Sequence, residues 1–208
     1  MLELRDVSLL YNPGSATETL ALDSVSLVIP TGQFVTVVGS NGAGKSSMIK
    51  VVSGAERPTR GTVHIAGEDV TTRSDSRRAG RVARVFDNPQ VGTAPDLSIE
   101  DNMALALSRG HRRRLRPALD VRRRSFIADK LAELGLGLER RLVDPVGSLS
   151  AGQRQSVTMV MAALTTPDVL LLDEHLAALD PATQTRVLDI TIRLVAELGC
   201  TTLMVTHN

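Results

Sequence analysis

Apolar positions change rhythm near residue 98. Before it they fall in short runs with partial two-residue alternation; after it they recur at helical spacing. Residues 2–10 (LELRDVSLL) and 20–29 (LALDSVSLVI) read as two strands joined across the turn-forming NPGS cluster. QFVTVVG, 33–39, is a near-continuous apolar run, which predicts a strand buried on both faces of a parallel sheet. It runs into a glycine-rich turn and then KSSMIKVVSG, 45–54, a helix closed by Gly54. GTVHIAGEDV (61–70) predicts two short strands about a glycine turn, and RVARVF (81–86) a further strand.

Past residue 98 the elements are mostly helices. Ser98 followed by Asp101 places a capping-box pattern before the apolar stripe of IEDNMALAL. SFIADKLAELGL (125–136) has helical spacing and ends at glycines. Residues 146–167 read as a polar loop feeding a helix that stops before Pro167. DVLLLDE (168–174) is a buried strand ending in two acids. Residues 181–199 form a helix with Pro181 in its first turn, and TTLMVTHN (201–208) is a last strand ending at His207. The pattern predicts one α/β domain over 1–208, strand-rich first and with a helical insertion over about 91–165.

Composition narrows the class. Aromatic residues make up 2% of the 208, so the core is built from Leu, Val, Ile, Ala and Met. A net charge of +1 exerts no global pull toward nucleic acid or membrane. The single Cys200 excludes an internal disulfide framework and a multi-cysteine metal site. No apolar run reaches the roughly 18–20 residues of a spanning helix, and the N-terminus carries acids where a signal peptide would not. A soluble cytoplasmic protein is the default expectation. Charge is concentrated locally: residues 109–124 hold eight arginines against one aspartate. That run reads as a solvated helical face, or as a contact for an acidic partner or anionic headgroups. It has no interleaved aromatics for stacking on single-stranded nucleic acid.

The chemistry begins at GSNGAGKS, 39–46, which fits G-x-x-x-x-G-K-[ST] and lies between a predicted buried strand and a helix. Gly39, Gly42 and Gly44 let the backbone turn its N–H groups onto phosphate oxygens, and the helix N-terminus adds positive potential. Lys45 reaches the β- and γ-phosphates, and the Ser46 hydroxyl is a ligand for Mg²⁺. Ser40, Asn41, Ala43 and Ser47 complete this nucleotide-binding segment. A carboxylate at the end of a buried strand is costly without a positive partner, and a magnesium nucleotide would supply one. Asp173 is thus a water-mediated metal ligand, and Glu174 is the general base that polarises an attacking water.

With LSAGQ (149–153) about twenty residues ahead of the acid pair, the set resembles the ATP-binding cassette (ABC) family across essentially the whole chain. The resemblance implies a P-loop NTPase of ABC type: a RecA-like, mostly parallel core with an N-terminal antiparallel β subdomain and an inserted helical subdomain. It also implies that Ser150, Ala151, Gly152 and Gln153 bind the γ-phosphate of a nucleotide held by the opposite subunit. Ala151 stands where the commonest form has glycine. By the same resemblance Tyr11 stacks on adenine, Asp180 in AALD lies at the dimer interface, and His207 contacts the γ-phosphate. The implied cofactors are ATP and Mg²⁺. The implied partners are a membrane permease, a second ATPase chain and, indirectly, a substrate-binding protein, with no role for nucleic acid. The expected place is the inner face of the cell membrane, and the expected work is ATP hydrolysis that powers small-molecule import, in the branch of bacterial importers with separate binding subunits. A soluble ABC ATPase in cofactor or cluster assembly is the alternative.

Two features depart from the family pattern. The chain stops one residue beyond His207, which predicts a last strand with less cover than relatives have. The glutamine expected after the strand at 82–86 is replaced by Asp87, in VFDNP, with Gln90 three residues on. Either can stand in for it; Asp87 holds the equivalent position and is an acceptor-only metal ligand when ionised.

Overall fold

The structure, a computed structural model, describes residues 1–110 and 119–207. These form two compact units. The first comprises Met1–Arg84, Pro167–Glu174 and the stretch from Gly199; the second comprises Val85–Thr166 and His175–Leu198.

The first unit is built on two sheets. Strands β1 (Leu2–Tyr11) and β2 (Thr19–Ile29) pair antiparallel; β3 (Phe34–Val38) then leads through a glycine turn into helix α1 (Lys45–Ser53). β4 (Arg60–Ile65) and β5 (Glu68–Asp69) follow, then the single-turn helix α2 (Asp75–Arg78) and β6 (Val82–Val85). One sheet has the order β2-β1-β4-β5. The other takes β7 (Val169–Asp173) and β8 (Thr201–Thr206) from late in the chain, in the order β3-β8-β7-β6, with β8 parallel to both β3 and β7. Leu2, Leu4, Ile29, Ile49, Val63, Leu171 and Leu203 belong to one buried cluster beneath them.

The partial alternation of the first strand has a local cause. Leu2 and Leu4 face inward, but the register with β2 shifts between Leu4 and Val7, and from there Val7 and Leu9 are the buried apolar residues, with Ser8 buried between them. Asp6 sits at the shift with φ 47°. A bulge moves the apolar set by one position, so the sequence loses its two-residue period while the strand keeps one buried face. Gly61 crosses here: a Cβ on it would fall 2.4 Å from the Arg5 and Asp6 carbonyl oxygens.

The expectation that β3 is buried on both faces is corrected. Phe34 is 43% and Val38 61% exposed, whereas Val35 and Val37 pack against the core cluster. β3 is an edge strand of its sheet, and the face carrying Phe34, Thr36 and Val38 is exposed. β7, two places in, is buried at every residue.

Arg78 ties α1 to the sheet. Its guanidinium is 1% exposed and donates to the Val51 and Val52 carbonyls, both at 2.8 Å, to Val70 O at 2.6 Å and to Arg73 O at 3.0 Å. A cation against the last carbonyls of α1 complements the negative end of that helix. Burial pushes the Arg78 pKa down to about 10, and nearby Arg73 pushes the same way. Arg81 makes a second tie, to Asp168 at 2.6 Å, Glu68 at 2.5 Å and the Ile65 carbonyl at 2.9 Å.

The second unit is helical. It holds α3 (Ile99–Leu107), α4 (Val121–Ala132), two short 3₁₀ turns at Leu138–Arg140 and Val146–Ser148, α5 (Ala151–Ala163) and α6 (Pro181–Leu198). Ile99, Met103, Ile127, Leu131, Leu138 and Val157 are all fully buried. Ser98 caps α3, accepting from Asp101 N at 3.1 Å. α4 begins four residues earlier than its apolar stripe, because Asp120 caps it by accepting from Arg123 N at 2.8 Å. From the arginine run, Arg122, Arg123 and Arg124 lie on an exposed face of α4, and Arg124 also pairs with the buried Glu100 carboxylate of α3, 2.7 Å from Nε. Residues 111–118 of the run lie outside the described residues.

Candidate functional site

Residues 39–46 form the expected turn between β3 and α1. Gly42 (φ 83°) and Gly44 (φ 84°) adopt the left-handed conformation that glycine favours. Gly44 is also sterically required: a Cβ there would lie 2.3 Å from the Ala21 carbonyl oxygen. Gly39 is different. Its φ is not positive and an added Cβ would meet Ala43 at an ordinary 3.4 Å, so only Gly42 and Gly44 bend the loop in the way anticipated for all three. Lys45 is 7% exposed, and its ammonium donates to Gly39 O at 2.7 Å and Ser40 O at 2.9 Å. The lysine is thereby held over its own loop.

A cavity of about 270 Å³ opens beside the loop, lined by Tyr11, Thr19, Leu20 and Ala21, by residues 41–47 and by Glu174. Tyr11 brings a half-buried ring whose hydroxyl is 3.5 Å from Ser47 Oγ, with Lys50 Nζ 5.9 Å from the ring centroid. Of the sequence-predicted residues in this unit, Tyr11, residues 41–47 and Glu174 converge on one hollow, whereas Gly39, Ser40, Asp173 and His207 are not in its lining. Ser46 is exposed in it.

The acids sit where β7 ends. Asp173 is 7% exposed and pairs with Arg84 Nη2, from the neighbouring β6, at 2.6 Å. Glu174 leaves the strand with φ 48°, a conformation costing a non-glycine residue on the order of 1 kcal/mol. Two contacts hold it there: its N–H donates to Val205 O at 3.0 Å, and its Oε2 lies 2.5 Å from His207 Nε2. Asp6, Asn12, Ser24, Ala66 and Thr166 also have positive φ, so what distinguishes Glu174 is that its side chain lines the cavity. The hydroxyl of Ser46 and the carboxylate of Asp173 are hard oxygen donors of the kind that suit Mg²⁺. Among the described residues no cluster of three or more His, Cys, Asp or Glu could hold a metal unaided. A metal here would complete its shell with phosphate and water.

The remaining predicted residues lie in the second unit. Ser150 caps α5 in a reciprocal box: Gln153 N donates to its hydroxyl at 3.3 Å, and Ser150 N donates to Gln153 Oε1 at 3.1 Å. The exposed Ala151 follows. A Cβ on Gly152 would fall 2.2 Å from Thr183 Cγ2, so this glycine lets α5 and α6 approach closely. Asp180 caps α6, accepting from Thr183 N at 3.1 Å; bonds from the Thr183 hydroxyl and backbone hold its carboxyl below the usual range. Asp87 and Gln90 are both exposed on the bend after β6. Gln90 N donates to Asn88 Oδ1 at 2.9 Å, and Gln155 Nε2 fixes the segment through Phe86 O at 3.1 Å.

Two residues of interest escaped the sequence reading. Arg84 is a charge inside an apolar strand, RVARV, and that interruption was its signal. His175, directly after Glu174, is 1% exposed and bonds the Thr191 hydroxyl at 3.1 Å; nothing local announces its burial.

A glycine turn at a strand-to-helix junction, its lysine, and acids at the end of a nearby parallel strand define a P-loop nucleotide-hydrolysing protein. Comparison with known proteins narrows the class. Residues 22–177 match the ABC transporter family model, and the chain belongs to that family as one of its ATPase subunits. It is 38% identical over 210 residues to the tyrosine transport ATP-binding protein of Clostridioides difficile (strain R20291), covering 100% of this chain and 82% of that protein. It is 35% identical over 214 residues to the methionine import ATP-binding protein MetN of Escherichia coli (strain K12), spanning 58% of that relative's length. Among solved structures it is similar to a dimeric ATP-binding cassette in a post-hydrolysis state bound to ADP and Pi, at a TM-score of 0.81 and 29% identity, covering 100% of this chain and 88% of that one. The fold is shared with a nucleotide-free cassette of an ABC transporter, at a TM-score of 0.81 and 23% identity, covering 100% and 81%. The α/β architecture read from the sequence is thus the ABC-type fold.

Proposed function

We propose that the chain powers the import of an amino acid or a close analogue through a separate membrane permease, working as a pair of like chains at the inner face of the cell membrane. The observation that carries this reading is similarity along the whole of this chain to parts of two proteins whose names specify transport of tyrosine and import of methionine. No described helix is long and apolar enough to cross a membrane, so the path for the solute is assigned to the permease.

The cavity beside residues 41–47 supports the roles read for the first unit, and the family resemblance supplies those of the second. Tyr11 provides the face for adenine at one end of the cavity. Backbone N–H groups of 39–46 and the start of α1 hold the phosphates, and Lys45 exchanges its loop carbonyls for β- and γ-phosphate oxygens. Ser46 and Asp173 of the first unit would hold Mg²⁺, which would neutralise developing charge on the transferred phosphoryl group. Glu174 orients the attacking water. His207, already at its carboxylate, contacts the γ-phosphate. Ser150, Ala151, Gly152 and Gln153 serve the nucleotide of the partner copy from the start of α5, and Asp180 lies at that junction.

The test is reconstitution of the chain with its permease in liposomes and measurement of ATP-driven uptake across a panel of labelled amino acids. Uptake of at least one, lost on Glu174→Gln, supports the reading. ATP hydrolysis with no uptake of any amino acid sinks it in favour of a non-transport role.

A further inference from the structure

Strands β6 and β7 are tied by an arginine–aspartate pair at each end. Arg81 and Asp168 meet at 2.6 Å at the start of β7, with side chains 26% and 39% exposed. Arg84 and Asp173 meet at 2.6 Å at its finish, 19% and 10% exposed. The two pairs share chemistry but not setting. The first is open to solvent, whereas the second is sheltered and lies where the chain turns into Glu174 and the cavity.

A sheltered carboxylate needs a positive partner, and Arg84 supplies one from within the chain. The same carboxylate is the one assigned to the metal. A guanidinium on Oδ2 takes up acceptor capacity and weakens the negative potential that a divalent ion would meet at Asp173, directly or through water. Two cations therefore compete for one acid. Such coupling is reciprocal: whatever Arg84 takes from metal affinity, bound metal takes from the Arg84–Asp173 bond.

We propose that Arg84 is a positioning residue that holds Asp173 as a built-in counter-cation and thereby sets how readily the site takes Mg²⁺. The pair keeps Asp173 oriented, and it raises the Mg²⁺ concentration at which the site loads. The proposal rests on the reading of Asp173 as metal-facing.

The test is a Mg²⁺ titration of the full chain carrying a fluorescent ATP analogue, read as the half-saturating Mg²⁺ concentration. Arg84→Met and the milder Arg84→Gln are expected to lower that concentration roughly tenfold, with Arg84→Lys within about twofold of the parent. Affinity for the analogue in EDTA stays the same in all three. Arg81→Met is the control for a purely structural tie: it lowers the melting temperature and leaves the Mg²⁺ midpoint alone. Asp173→Asn separates the two layers. If it does not raise the midpoint, the reading of Asp173 fails and the proposal with it. If it does, and the Arg84 variants leave the midpoint unchanged or raise it, the proposal alone is overturned. A wild-type readout, independent of any variant's folding, is the NMR signal of the Arg84 side-chain N–H groups. These shift and exchange faster on adding Mg²⁺ with the nucleotide; signals that stay unmoved at saturating Mg²⁺ overturn the competition.

Discussion

His207 Nε2 lies 2.5 Å from Glu174 Oε2, so the residue assigned to the water and the residue assigned to the γ-phosphate are in contact through side chains that start 33 positions apart. The pair braces a glutamate whose backbone is in a left-handed conformation. His207→Ala should therefore lower kcat by roughly 10–100-fold while leaving ATP affinity within a few-fold, as expected when a group acts mainly in the transition state. Steady-state kinetics beside equilibrium nucleotide binding checks this; a rise in KM with unchanged kcat would contradict it.

The loop glycines should rank by geometry. Gly44→Ala combines a left-handed backbone with a 2.3 Å clash against Ala21 O, and should cost more than about 2 kcal/mol and impair nucleotide binding. Gly42→Ala meets nothing within 4 Å and carries only the backbone strain, about 1 kcal/mol. Gly39→Ala should be the mildest for stability. Denaturant melts of the three variants give the order.

Gly152 has a packing role separable from phosphate binding. Gly152→Ala drives a methyl to 2.2 Å from Thr183 Cγ2, whereas with Thr183→Ala the nearest remaining atom, Cβ, is at 3.6 Å. The double variant should recover most of the stability lost by the single one, giving a coupling of about 1 kcal/mol or more in a double-mutant cycle. Turnover that stays low in the restored protein would place Gly152 at the phosphate as well.

His175 makes stability depend on pH. Burial pushes its pKa from the ordinary 6.5 down to about 4. The folded chain keeps the ring neutral, while the unfolded chain takes a proton as soon as pH falls below 6.5. Its contribution is thus full above pH 6.5 and is lost on acidification toward pH 4, on the order of 3 kcal/mol. His175→Gln, which does not titrate there, should flatten the unfolding free energy over that window.

Arg78→Met should destabilise by on the order of 3 kcal/mol, because it removes the guanidinium donors of the Val51, Val52 and Val70 carbonyls and leaves Val51 and Val70 with only the Gly54 and Arg73 N–H groups. Arg78→Lys should recover only part, since one ammonium cannot reproduce the fork.

What the sequence made legible was local. The phosphate loop, the acid pair and the Ser98 cap each lie within a few consecutive residues, so their chemistry can be read without knowing the fold. What it hid depends on partners distant in the chain. Arg84 gains meaning only beside Asp173, 89 residues on, and Gly152 only against Thr183. The bulge at Asp6 erased the alternation that would have defined β1. β3 looked doubly buried because an apolar run reports hydrophobicity, not its place at a sheet edge. Asp87 and Gln90 remain as open in space as in sequence, both exposed on one bend.

The most direct measurement is ATP turnover and oligomeric state of Glu174→Gln beside the parent chain. The account predicts that the variant binds ATP, accumulates as a nucleotide-stabilised dimer and turns over at least about 100-fold more slowly. Parent-like hydrolysis by Glu174→Gln would contradict it.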